Sequence, residues 1–135
     1  MKPAAEVILE VPFHDVDSMG VVWHGHYVKY LEIARTALTR AMGLDLQEMT
    51  AGGFLWPVVV CHMKYVRPLR YGQKVRVRAR LDEYETRLKV DYLLTDAATG
   101  EVINRAHTIQ VALDAATGQL LFEVPPGMFP KDLPC

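Results

Sequence analysis

The feature that most constrains this chain is a single long amphipathic helix. Tyr27, Leu31, Ala34, Leu38 and Ala41 recur at spacings of four, three, four and three, which places them on one stripe of an α-helix. Tyr30, Ile33 and Ala37 widen that stripe, while Lys29, Glu32, Arg35 and Arg40 supply a polar side. A helix with so broad an apolar face is expected to pack deeply against a sheet. Gly43, just after Met42, suits the left-handed residue that closes a helix. Asp45 is placed to cap a short second helix through Met49, ended by Gly52-Gly53.

The rest of the chain supplies that sheet. Val75, Val77, Ala79 and Leu81 alternate with Lys74, Arg76, Arg78 and Arg80, the clearest strand period present. Leu88, Val90, Tyr92 and Leu94 continue it beyond a bend near Glu85-Thr86, and Val7, Leu9 and Val11 form an earlier, weaker version. Phe54 to Val66 reads as one long Val-rich strand with Pro57 near its start. Val102 to Leu113 reads as another, on which Arg105 and His107 share a face with Ile109 and Val111. Asp-Ala-Ala-Thr-Gly occurs twice, at Asp96 to Gly100 and at Asp114 to Gly118, a turn solution suited to bulged hairpins. Prolines beyond Phe122 indicate an irregular tail at about 124–135. One long helix followed by four or five antiparallel strands is α+β, and 135 residues suit a single domain over 1–135.

Composition narrows the function. A net charge of −1 argues against a general nucleic-acid binder. No apolar run approaches the ~20 residues of a membrane span, and residues 1–6 lack a signal-peptide pattern, so no membrane insertion is expected. Cys61 and Cys135 form no metal or redox spacing, and a disulfide between them is not expected. The expected compartment is the reducing cytoplasm.

The chemistry concentrates in the run from His14 to Tyr27, which holds two carboxylates and three imidazoles before the helix begins. Asp17-Ser18-Met19-Gly20 has turn chemistry, because Asp and Ser bond nearby backbone N–H groups and Gly accepts positive φ. A carboxylate turn facing a helix start is suited to a developing oxyanion, since helix N-termini present free N–H groups. His14, Asp15, Asp17, His24 and His26 are metal-ligand types. His24-x-His26 splays its rings, however, and no His-Glu-x-x-His partner motif exists, so no metal is expected. Seven basic residues and no acidic one lie between Lys64 and Arg80. They suit either a solvated strand face or a phosphate site.

Asp15-x-Asp17-x-x-Gly20-Val21-Val22-x-His24-x-x-Tyr27, with Val28-Lys29-Tyr30-Leu31-Glu32-x-x-Arg35 behind it, resembles the hotdog-fold acyl-CoA thioesterases. The branch is that of hydroxybenzoyl-CoA thioesterase and the Tol–Pal-cluster thioesterase. Tyr65-Val66-Arg67-Pro68-Leu69-Arg70-Tyr71-Gly72 is a second family-like segment, and the likeness runs from about Val7 to Leu113. It implies a curved antiparallel sheet wrapped around the helix. It also implies hydrolysis of an acyl-CoA to a carboxylic acid and free coenzyme A, with no metal or organic cofactor. Asp17 would then be nucleophile or general base, and His24 a catalytic or thioester-positioning residue. The N–H groups near His24 and Gly25 would be oxyanion donors, with Gly25 letting backbone approach the substrate. Trp23 and Tyr27, with Phe54 and Trp56, would line the acyl pocket or pack the core, and Arg67 and Arg70 would hold coenzyme A phosphates. Asp15 is expected to be structural, and His14 departs from the family pattern. The family forms dimers that share the site, often paired into tetramers. The alternatives are a hydratase or dehydratase on acyl-CoA or acyl-carrier protein, and a non-catalytic acyl-binding protein.

Overall fold

A computed structural model describes residues 2–125 and 128, so most of the expected tail and Cys135 lie outside the described residues. The stripe forms α1, Tyr27–Ala41, and buries Tyr27, Tyr30, Leu31, Ala34 and Leu38. Met42 caps it, and Gly43 follows at φ +77°. Ile33, expected on the buried side, is instead 41 % exposed. Two residues on from Leu31 it stands about 200° around the helix at 3.6 residues per turn. Asp45 does cap α2, Leu46–Thr50, by accepting from the Leu46 N–H.

Five antiparallel strands form the main sheet: β1 (Ala4–Glu10), β3 (Val58–Tyr65), β4 (Lys74–Glu83), β5 (Leu88–Asp96) and β6 (Val102–Gln110). Their spatial order is β1-β4-β5-β6-β3. Helix α1 lies across β1 and β4, whose alternate residues Val75, Val77, Ala79 and Leu81 are buried beneath it. Arg76, Arg78 and Arg80 therefore point away from the helix. Arg76 reaches Glu6 at 3.5 Å and Arg80 reaches Asp91 at 3.4 Å, which is the solvated-face reading of the basic run. Both Asp-Ala-Ala-Thr-Gly turns close alike. Asp96 accepts from the Ala98 and Thr99 N–H groups and Asp114 from those of Ala116 and Thr117, with Gly100 and Gly118 at positive φ.

Two expected strands are divided. Phe54 to Val66 is two elements, because Pro57 has no N–H to continue a ladder. The short β2 (Phe54–Leu55) leaves the main sheet to pair with β7 (Leu113–Asp114), and β3 begins at Val58. Val102 to Leu113 divides at the matching point. The Gln110 side chain donates to the Trp56 carbonyl at 2.9 Å across both breaks. The outward face of β6 is covered in part by ring stacking, His107 on His62 of β3, while Arg105 stays exposed.

The run before the helix is a small hairpin. Asp17 N–H donates to the Val21 carbonyl and Trp23 N–H to the Asp15 carbonyl, with Val16 facing Val22. Val21 in turn bridges Arg70, and Val22 N–H donates to the Leu69 carbonyl at 2.8 Å. Both family-like segments are thus clamped together at the start of α1. No helix of the described residues is long and apolar enough to cross a membrane.

Candidate active site

The two carboxylates of the hairpin have opposite surroundings. Asp15 is 1 % exposed. Lys29 Nζ donates to its two oxygens at 2.6 and 2.8 Å, and the Tyr30 hydroxyl donates at 2.6 Å. Burial alone would raise its pKa, but the bonds from Lys29 and Tyr30 and the Lys29 charge hold it below the ordinary carboxylate value. Burial, with the Asp15 charge after it, pushes the Tyr30 phenol up. Asp15 therefore ties the hairpin to the first turn of α1.

Asp17 sits at the hairpin's tip, half-buried, with one oxygen accepting from the Met19 N–H at 2.9 Å and its carbonyl accepting from Gly20. Gly20 stands at φ +79°, which is why the tip needs glycine. A carboxylate accepts several hydrogen bonds, so this turn bond leaves most of that capacity for a substrate or water.

From Val22 the chain runs directly into the helix start. Residues His24–His26 form a 3-10 turn that leads into α1, and its first bond is from His26 N–H to the Trp23 carbonyl at 2.9 Å. The N–H groups of His24 and Gly25 precede that bond, so they are donors the ladder leaves over. The Tyr65 hydroxyl donates to the His24 carbonyl at 2.9 Å. Because N–H and C=O of a trans peptide point opposite ways, the His26 bond turns the His24 N–H back out of the helix start and the Tyr65 bond turns the Gly25 N–H away from Tyr65. Gly25 has a further reason to be glycine: a Cβ there would meet the Trp23 ring at 2.3 Å. The indole occupies the space beside Gly25, with its ring 5.2 Å from that of His24 and 5.3 Å from that of His26.

Two adjoining cavities share Arg67 and Pro68. The first, about 300 Å³, is lined by Val22, His24, Tyr27, Tyr65 and Val66 as well. Tyr27 and Tyr65 meet edge-to-face at 5.0 Å in its wall. Burial raises the Tyr27 phenol, partly offset by a hydrogen bond from the Leu69 backbone. The second cavity, about 570 Å³, holds Arg70, Tyr71, Gln73, Asp96 and Glu101. Arg67 is engaged there: it pairs with Glu101 at 2.9 Å and donates to the Val102 carbonyl. Arg70 is exposed.

The structure thus brings His24, Tyr27 and Arg67 to one cavity and Arg70 to its neighbour. Trp23 lies over Gly25, and Asp17 stands at the tip of the hairpin whose return strand delivers His24. Phe54 and Trp56 lie at the far end of α1, where Trp56 donates to the Met49 carbonyl, away from this cavity. Tyr65 and Lys29 were not singled out from sequence. Tyr65 opens the second family-like segment, which is the signal that marks it. Lys29 carries none, since it reads as an ordinary polar-side residue.

The Thioesterase-like superfamily model matches residues 11–131. Among curated relatives, the Synechocystis protein sll0410, named provisionally as an esterase, is 33 % identical over 122 residues, covering 90 % of this chain and 74 % of that protein. The Bacillus subtilis protein YneP, named provisionally as an acyl-CoA thioesterase, is 36 % identical over 76 residues, or 56 % of this chain and 55 % of that one. The crystal structure of Slr0204, a 1,4-dihydroxy-2-naphthoyl-CoA thioesterase from Synechocystis, superposes with a TM-score of 0.81. It is 21 % identical and covers 90 % of each chain, a likeness of fold.

Proposed function

We propose, because this chain belongs to the thioesterase-like superfamily, that it hydrolyses the thioester of an acyl-CoA to a carboxylic acid and free coenzyme A. The observation that carries the reading is the pair of leftover N–H donors at the start of α1. The Trp23–His26 bond orients the His24 donor and the Tyr65 bond the Gly25 donor, and His24 lines a cavity walled by Tyr27 and Tyr65. A thioester carbonyl placed there gains two fixed donors as its oxygen becomes negative, and fixed donors cost no reorganisation during reaction. Asp17 supplies the base or nucleophile from the hairpin tip, and His24 positions the thioester. The names of sll0410 and YneP support this chemistry. Coenzyme A leaves along the second cavity, where Arg70, free of the Glu101 pairing that holds Arg67, meets a phosphate.

Thiol release from a panel of acyl-CoAs tests the reaction. Release marks the hydrolase, a change at an enoyl double bond without thiol marks a hydratase, and neither outcome leaves only acyl binding. In the same assay Arg70→Ala is expected to raise KM several-fold at constant kcat, with the rise shrinking at high salt. Arg67→Ala should change KM less. Equal, salt-independent KM values for wild type and Arg70→Ala would return Arg70 to the solvated face.

Assembly follows from the sheet. Among the described residues β3 pairs on one side only, with β6, and Val58, Val59, Val60 and Tyr65 are 40–48 % exposed along it. A long apolar edge in this state invites another strand, and a second copy pairing edge to edge satisfies a two-fold contact. The protein is therefore a dimer at micromolar concentration, or a tetramer built from such dimers. Sedimentation giving an active monomer would contradict this.

A further inference from the structure

We propose that Tyr71 is a specificity-determining residue, an exposed ring on which the adenine of coenzyme A stacks. The protein thereby selects coenzyme A thioesters over thioesters of a carrier protein's phosphopantetheine. The inference rests on the acyl-CoA reading above and names the carrier within it. It begins with two large side chains that the core does not use. Phe13 and Tyr71 are 73 % and 63 % exposed, and their rings meet edge-to-face with centroids 5.6 Å apart. A perpendicular contact covers at most one face of either ring, which leaves a face of Tyr71 for a planar ligand.

Fixed backbone presents that ring. Gln73 N–H donates to the Arg70 carbonyl at 3.1 Å, closing a turn with Tyr71 at its corner. The Gln73 side chain anchors the turn: it accepts from the Arg70 N–H at 3.0 Å and donates to Asp96 at 2.7 Å. Gly72 N–H donates to the Val11 carbonyl and Val11 N–H to the Gln73 carbonyl, both at 2.9 Å. Those two bonds seat the turn beside the segment that carries Phe13. A ring on so well-tied a turn binds without the cost of first ordering its backbone.

Its place selects the ligand. Tyr71 and Arg70 line the second cavity together, and Arg67 and Pro68 join that cavity to the one lined by His24 and Tyr27. A thioester at the helix start, with its phosphates at Arg70, has one large group left to place, a planar base. Phe13 follows β1 and Tyr71 precedes β4, the two strands farthest from the β3 edge, so edge-to-edge pairing on β3 leaves them free. Every base has a π-face, and stacking on an aromatic ring needs no hydrogen bonds to the base edge. The phosphopantetheine of a carrier protein has no base, and Tyr71 adds nothing to its binding.

The test measures by calorimetry the binding of two thioethers, which cannot be hydrolysed. One is an S-alkyl coenzyme A, the other the matching S-alkyl pantetheine phosphate, which lacks the nucleotide. Tyr71→Ala is expected to weaken binding of the coenzyme A thioether at least about fivefold, the low end for stacking one base. The pantetheine phosphate thioether should bind within about twofold of wild type, since it has no base to stack. Tyr71→Phe keeps the ring and should bind both as wild type does. In the wild-type complex the adenine ring protons should shift upfield, and with Tyr71→Ala they should not. Equal weakening of both thioethers, weakening of neither, a Tyr71→Phe that behaves as Tyr71→Ala, or no binding of the coenzyme A thioether overturns the proposal. So does a Tyr71→Ala protein of unchanged affinity that sediments as a smaller species, which gives the ring pair to a contact between copies. Thiol release is scored separately, so a failed thioesterase reading shows there and not in these titrations.

Discussion

Asp17→Asn is expected to lower kcat by at least about a hundredfold while the protein stays folded. The substitution keeps the volume, and an Asn oxygen can still accept from the Met19 N–H that Asp17 now holds at 2.9 Å. The hairpin's backbone bonds, Asp17 to Val21 and Gly20 to Asp17, do not involve the side chain at all. Only the charge disappears, and with it the base or nucleophile. Acid–base catalysis typically contributes ~10²–10⁴-fold, so the lower bound corresponds to about 2.7 kcal/mol of barrier. Binding of a thioether analogue should remain near wild type, because Arg70 and the cavity walls are untouched. A folded Asp17→Asn protein within about tenfold of wild-type kcat, less than the least that such catalysis supplies, would pass the chemical role to His24 or end the thioesterase reading.

The parts legible in the sequence were those decided locally. The helix from Tyr27, its Gly43 stop, the Asp45 cap and both Asp-Ala-Ala-Thr-Gly turns each depend on residues within a few positions of one another. The motif from Asp15 to Tyr27 was legible for the same reason, since one hairpin and one helix start contain it. Hidden were features set by distant partners. Pro57 marks the break locally, but that β2 leaves the main sheet is set by its distant partner β7. Glycine at 25 looked like room for substrate, whereas its flank is filled by the Trp23 ring. That contact depends on one side chain folding back, which no spacing rule reports. Arg67 and Arg70 look alike on paper, and the Glu101 carboxylate and Val102 carbonyl, both distant in sequence, separate them by holding Arg67.

Asp15 makes the sharpest contrast with Asp17, because the same substitution two positions earlier should act on stability instead. Asp15→Asn removes the charge that receives Lys29 twice and the Tyr30 hydroxyl once. Breaking one side of a buried ion pair costs about 3–5 kcal/mol. Lys29 is 44 % exposed and can return to water, so the loss should fall near the low end, about 3 kcal/mol. For a chain of this length that corresponds to a fall in Tm of about 10 °C. The pH dependence has a definite sign. The folded-state pKa of Asp15 is held below its ordinary value, so the carboxylate stabilises the fold above the unfolded pKa of about 3.9. That stability disappears as pH falls through the lower folded value. The gap between wild type and Asp15→Asn should therefore be constant from neutral pH to about 5 and close in stronger acid. Below its lowered Tm the variant should keep kcat far closer to wild type than Asp17→Asn does. Denaturant unfolding at pH 7 and pH 3 measures both halves. A gap under about 1 kcal/mol at pH 7, the scale of an exposed pair, or one that persists unchanged at pH 3, would show that Asp15 does not hold the hairpin to the helix.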